Sequence, residues 1–95
     1  MMETDEIPVD TNKLYTMIRF KVEDQEIRVD QVKIFFTNGD KLEPKIAEAI
    51  KPAEFSKDVD LGYEGKSISK IQFRYKTPGS VLKSKGTVMV FGKKY

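Results

Sequence analysis

The chain has 95 residues, 39% of them hydrophobic and 34% charged, with a formal net charge of +2. That describes one modest-cored domain filling residues 1–95, too rich in Leu, Ile, Val and Phe for a disordered tail and without the ~18–20 apolar residues in a row that cross a bilayer. With no His and no Cys, it cannot build a Ser-His-Asp or Cys-His nucleophilic centre, a structural zinc site, a disulfide or a haem axial-His site.

In chain order, the start comes first. Residues 1–6 (Met-Met-Glu-Thr-Asp-Glu) are acidic, show neither the basic nor the apolar region of a signal peptide, and read as a disordered end. From Tyr15 to Val22 the period is two: Ile18, Phe20 and Val22 share one face, and Arg19 and Lys21 the other. Glu23 to Glu26 reads as a polar hairpin apex. Ile27 and Val29 continue the alternation, and Val32, Ile34 and Phe36 resume it out of phase, which requires a bulge or a short turn at Asp30-Gln31. Phe35 on the opposite face suggests cover on both sides.

Asn38-Gly39 is the strongest hairpin signal in the chain, because a type I′ turn needs two residues that tolerate positive φ. A strand beginning at Asp40 should therefore pair with Val32–Thr37. Residues 45–51 lie between Pro44 and Pro52 and suit either a strand or a short helix. Seven residues between prolines favour the strand. Val59 and Leu61 face inward with Asp58 and Asp60 outward. Ile71, Phe73 and Tyr75 alternate with Lys70, Gln72, Arg74 and Lys76 in the clearest strand of all, after which Thr77 to Ser80 is a turn. Thr87 to Phe91 is apolar on both faces and reads as a central strand. Six or seven short strands with turn signals about every ten residues indicate an all-β fold, an antiparallel β-sandwich. Its expected core is Ile18, Phe20, Val22, Val32, Ile34, Phe36, Val59, Leu61, Ile71, Phe73, Tyr75, Val88 and Val90.

Five pieces stand in a recognisable order: Ile-Arg-Phe-Lys-Val (18–22), Val-x-Ile-x-Phe-x-Asn-Gly (32–39), Glu-x-Ser-x-x-Val-Asp-Leu (54–61), Ile-x-x-Ile-x-Phe-x-Tyr (68–75) and Val-x-Val-Phe-Gly (88–92). On these pieces the chain resembles a family of small exported bacterial β-sandwich domains of unknown function. The resemblance implies a β-sandwich in a periplasmic or extracellular setting, and it implies no chemistry. Against that family pattern, residues 1–6 do not read as an export signal, and the chain has no Trp. Its residues alone suit the cytosol as well as the periplasm.

Chemistry has few footholds. The acids of 23–26 lack the regular ligand spacing of a Ca²⁺ loop. Asp58 and Asp60 share a strand face about 7 Å apart, compatible with inverting glycoside hydrolysis, but two acids at this spacing are also commonplace. Ser67, Ser69 and Ser80 have no His as base; a Ser-Lys dyad with Lys66 or Lys70 is chemically allowed. The glycines form no phosphate-binding loop. No metal or cofactor is expected.

The charge is uneven: residues 1–64 hold all 15 acids, while every charged residue of 65–95 is Lys or Arg. The plain explanation is that acidic and basic strands pair within a sheet; the sharper one is an anionic partner. Lys70, Arg74 and Lys76 would form the ligand-binding face, extended by Lys83, Lys85, Lys93 and Lys94 if these fold onto the same side. Sequence-specific nucleic-acid binding is the weakest option, because that face interleaves no aromatics for base stacking. The expected function is a non-enzymatic binding or accessory domain, at the cell envelope by resemblance, meeting an anionic polymer or a protein. The alternative is a small glycan-active enzyme using Asp58 and Asp60, against which the absence of His, Cys and Trp counts.

Overall fold

The computed structural model describes residues 2–23, 26–46, 49–51, 54–76 and 87–94, with the side chains of 2, 23, 87–90 and 94 outside that description. Among these described residues eight strands follow in chain order: β1 (Met2–Pro8), β2 (Tyr15–Glu23), β3 (Ile27–Phe36), β4 (Lys41–Leu42), β5 (Ala49–Ile50), β6 (Val59–Asp60), β7 (Ile68–Lys76) and β8 (Thr87–Lys94). All pairings are antiparallel. β1, β7, β3 and β4 lie side by side in one sheet, with β5 also paired to β3, and a second sheet runs β6-β2-β8. The expected β-sandwich is the fold.

The alternation along each long strand supplies the two inner faces. Ile18, Phe20 and Val22 from β2 meet Val32, Ile34, Ile71, Phe73 and Tyr75 from β3 and β7, all buried. The Phe20 and Phe73 rings join the sheets at 4.8 Å between centroids, and Phe73 stacks at 5.8 Å on Tyr75. Phe36, Val59 and Leu61 are buried as expected, while Val88 and Val90 lie outside the described side chains. Ile27, Val29, Ile46, Ile50 and Ile68 complete the core.

The phase change in β3 is a bulge. Val29 stands opposite Tyr75 and Gln31 opposite Arg74, leaving Asp30 as the extra residue beside Arg74. β3 thereby keeps Ile27 and Val29 inward and still presents Val32, Ile34 and Phe36 to the same core. Residues 49–50 pair with Ile27 and Arg28 as a strand; residues 47–48 lie outside the described set.

The Asn38-Gly39 hairpin forms with a shifted turn. The Gly39 N–H donates to the Phe36 carbonyl at 3.1 Å and Phe36 N–H to the Asp40 carbonyl at 2.9 Å, so Thr37 and Asn38 are the central residues. Gly39 follows them at φ 95°, and the Asn38 side-chain oxygen accepts the Asp40 N–H at 2.9 Å. This is a longer loop closed by a left-handed glycine, where a type I′ turn was expected. A Cβ at Gly39 would meet nothing within 4 Å, so its cost is purely conformational. Gly39→Val should lower stability by about 1–2 kcal/mol, read as a lower urea midpoint at unchanged slope. An unchanged midpoint would refute the left-handed assignment.

Three expectations need correction. Residues 2–6 belong to β1, an ordered edge strand paired along its whole length with β7. Glu3 and Asp5 stand opposite Tyr75 and Phe73 on the core-facing side, and the Tyr75 hydroxyl donates to Asp5 Oδ2 at 2.9 Å. Inward carboxylates on an edge strand discourage further pairing. Second, β2 and β3 lie in different sheets, so residues 23–26 connect the sheets and are no hairpin apex; Asp24 and Gln25 themselves lie outside the described residues. Third, β8 lies, among the described residues, at the edge of its sheet and pairs with β2 alone, where Thr87–Phe91 was expected to be central.

Candidate functional site

Residues directly opposite in antiparallel strands share a face, so the register maps the outer surface of the five-stranded sheet. β7 contributes Lys70, Gln72, Arg74 and Lys76; β3 contributes Arg28, Gln31, Lys33 and Phe35; β1 contributes Thr4, Glu6 and Pro8. Lys70, Arg74 and Lys76 thus share one outward face, but their surroundings differ. Lys70 Nζ lies 3.0 Å from Glu6 Oε2 and 5.1 Å above the Phe35 ring. Arg74 Nε lies 3.4 Å from Oδ2 of Asp30, the bulge residue. Neighbouring acidic strands therefore reach two of the three cations, each exposed pair contributing about 0.2–1 kcal/mol.

Lys76 is different. Its cross-strand partner on β3 is Arg28, and neither has a carboxylate within 4.0 Å among the described residues. Like charges directly opposite each other on a sheet are unfavourable. Lys33, bonded to Glu43 at 3.8 Å, and Lys41, opposite Phe35, widen the basic surface toward β4. Lys93 lies on β8 in the other sheet and does not extend it. Lys83 and Lys85 lie outside the described residues, as does the side chain of Lys94.

The outer face of the three-stranded sheet carries a second feature that alternation did not reveal. Phe55 and Phe91 are 41% and 39% exposed, with ring centroids 5.4 Å apart in an edge-to-face contact. The Arg19 guanidinium carbon sits 3.8 Å from the Phe55 ring centroid and Lys21 Nζ 5.4 Å. What turns Phe55 outward is Ser56, which is buried: its N–H donates to the Phe20 carbonyl at 2.7 Å and its Oγ accepts the Phe20 N–H at 2.9 Å. Carried back from Val59 and Leu61, the alternation would place Phe55 inward and Ser56 outward; the structure has the reverse.

The remaining candidates separate. Asp58 lines a groove of about 440 Å³ with Met17, Arg19, Phe91 and Lys93, whereas Asp60 borders another with Asp40, Lys41 and Lys66. Among the described residues the two carboxylates thus line different grooves, although Asp60 stands opposite Met17 of the first. Asp60 Oδ1 accepts the Gly62 N–H at 2.9 Å and holds a turn in which Gly62 has φ 99°. Ser67 Oγ donates to the Thr11 carbonyl at 2.7 Å and Ser69 Oγ to the Phe35 carbonyl at 3.0 Å. Lys66 Nζ lies 5.0 Å from the Phe36 ring centroid. Both serine hydroxyls are thus engaged by backbone carbonyls, and Ser80 lies outside the described residues. Among the described residues, no three acids gather as a metal site.

The model of a family described as a domain of unknown function, DUF2541, matches residues 2–92. The chain belongs to that family. No curated protein and no solved structure matches it. The match takes in β1 as well as the five pieces between Ile18 and Gly92, so the DUF2541 domain is the whole two-sheet unit. Within it, Val59 and Leu61 of the 54–61 piece are core, Ser56 ties that segment to β2 and Asp60 caps a turn. Ser56, Val59, Asp60 and Leu61 of that piece are therefore structural, while Phe55 and Asp58 stand exposed.

Proposed function

We propose that this DUF2541 domain is a non-enzymatic binding domain that engages an anionic polymer, an acidic glycan first, through the outer face of its five-stranded sheet. The observation that carries the reading is the opposition of Arg28 and Lys76 with no carboxylate partner among the described residues. A sulfate or carboxylate lying between them offsets a repulsion that the fold otherwise carries. Lys70 and Arg74 flank this pair along β7 and add longer-range field, although Glu6 and Asp30 take up part of their charge. Nucleic acid is less suited, because Phe35 is the aromatic in this region and Lys70 covers it. An envelope setting rests on the resemblance to exported bacterial domains.

Heparin chromatography at low salt tests the reading. The wild type should be retained and should elute early as salt rises, as charge-driven binding does. Arg28→Glu combined with Lys76→Glu should flow through while keeping the wild-type circular dichroism spectrum. Flow-through of the wild type at low salt would overturn it.

A further inference from the structure

The exposed patch on the three-stranded sheet is not used by the basic face, and its chemistry differs. Its centre is Phe55, Phe91, Met17 and Arg19, residue types enriched at protein–protein interfaces, where Lys is depleted. The patch is also held in place before any partner arrives. Ser56 is buried and bonded to Phe20 in both directions, Phe55 is therefore fixed across β2, and Arg19 is stacked on its ring at 3.8 Å. A stacked guanidinium keeps its N–H groups free for a carboxylate in a bidentate geometry. Beside it stands Asp58, in the same groove. Among the described residues neither Arg19 nor Asp58 has an ion-pair partner within 4.0 Å.

One surface that carries, among the described residues, a cation and an anion without ion-pair partners beside two exposed rings complements itself. We infer that this patch is a self-association surface on which a second copy of the chain packs, outer face to outer face, about a two-fold axis. Such an axis, lying in the interface and crossing the groove between Arg19 and Asp58, presents Asp58 of each copy to Arg19 of the other. Phe55 and Phe91 then cover their counterparts and lose their exposure, while Lys21 and Lys93 keep their ammonium groups at the wet rim. The resulting dimer turns its two five-stranded sheets outward on opposite sides. Two basic faces on one particle would raise retention on a long polymer by avidity, but the association stands independently of what those faces bind.

Sedimentation equilibrium on the full chain decides the matter, from about 1 to about 500 µM, which brackets the micromolar affinity of a small interface. The wild type should reach twice its monomer mass. Arg19→Asp and Asp58→Arg should each remain monomeric, because each sets like charges against one another, and the double exchange should restore the dimer. Phe91→Asp, at a residue already exposed, should also be monomeric while keeping a cooperative thermal unfolding transition. Three results would each overturn the inference: a wild type that stays monomeric throughout, folded single variants that still dimerise, or a folded double exchange that fails to recover. Heparin retention of the monomeric variants reads the basic face separately, so failure of one proposal does not mimic failure of the other.

Discussion

Phe73→Ala should leave the protein largely unfolded. Phe73 has no exposed surface, and its ring lies between Phe20 of the opposite sheet, 4.8 Å away, and Tyr75 on its own strand, 5.8 Å away. Truncating a buried Phe to Ala removes its transfer free energy and opens a cavity that neighbours only partly fill, at about 3–5 kcal/mol. The two sheets approach through this ring pair, so collapse into the space would require one sheet to move against the other. A domain this small holds roughly 5 kcal/mol of stability or a little more, leaving almost nothing after the substitution. Near-ultraviolet circular dichroism and amide dispersion in a proton–nitrogen spectrum should both be lost. A cooperative melt at the wild-type temperature would show that Phe73 does not bridge the sheets.

Ser56→Ala is a smaller change in volume with a specific cost. Ser56 Oγ accepts the Phe20 N–H at 2.9 Å and donates to the Lys57 carbonyl at 3.0 Å. Phe20 is wholly buried, so its amide has no water to turn to once the hydroxyl is gone. An orphaned buried donor costs about 1–3 kcal/mol. Chemical denaturation should register that loss, and amide exchange at Phe20 should accelerate more than at β7. The variant also loosens the segment that carries Phe55, so it should weaken self-association without touching Arg19 or Asp58. Stability equal to wild type would mean that the hydroxyl is dispensable and that backbone pairing alone places the segment.

The two surfaces show how charge acquires meaning in this fold. The acid-free C-terminal third supplies β7 with its cations, yet the partners that temper Lys70 and Arg74 come from Glu6 and Asp30. Glu6 reaches Lys70 because β1 runs antiparallel to β7 in register, and Asp30 reaches Arg74 because the bulge adds a residue at that point. Arg28 and Lys76 come together by the same register, with the opposite result.

Much of the architecture is legible in the residues themselves. Period-two alternation separates Ile18, Phe20 and Val22 from Arg19 and Lys21, and Ile71, Phe73 and Tyr75 from Lys70, Arg74 and Lys76, because a strand turns successive side chains to opposite faces whatever it pairs with. The step of three between Val29 and Val32 demands the bulge, and Gly39 marks the hairpin, for equally local reasons. Partner choice is different, since it depends on which distant strand offers a matching register. Nothing in the acidic run 2–6 announces a strand until β7 lies beside it. Glu23 looks like the start of a hairpin turn until β2 and β3 fall into separate sheets. Phe55 and Phe91, 36 positions apart in sequence, become one aromatic contact only when a buried serine and the β2–β8 register bring them over Arg19. Local periodicity assigns faces; long-range pairing decides which charges are neutralised, which rings are left exposed, and hence where this domain can meet a partner.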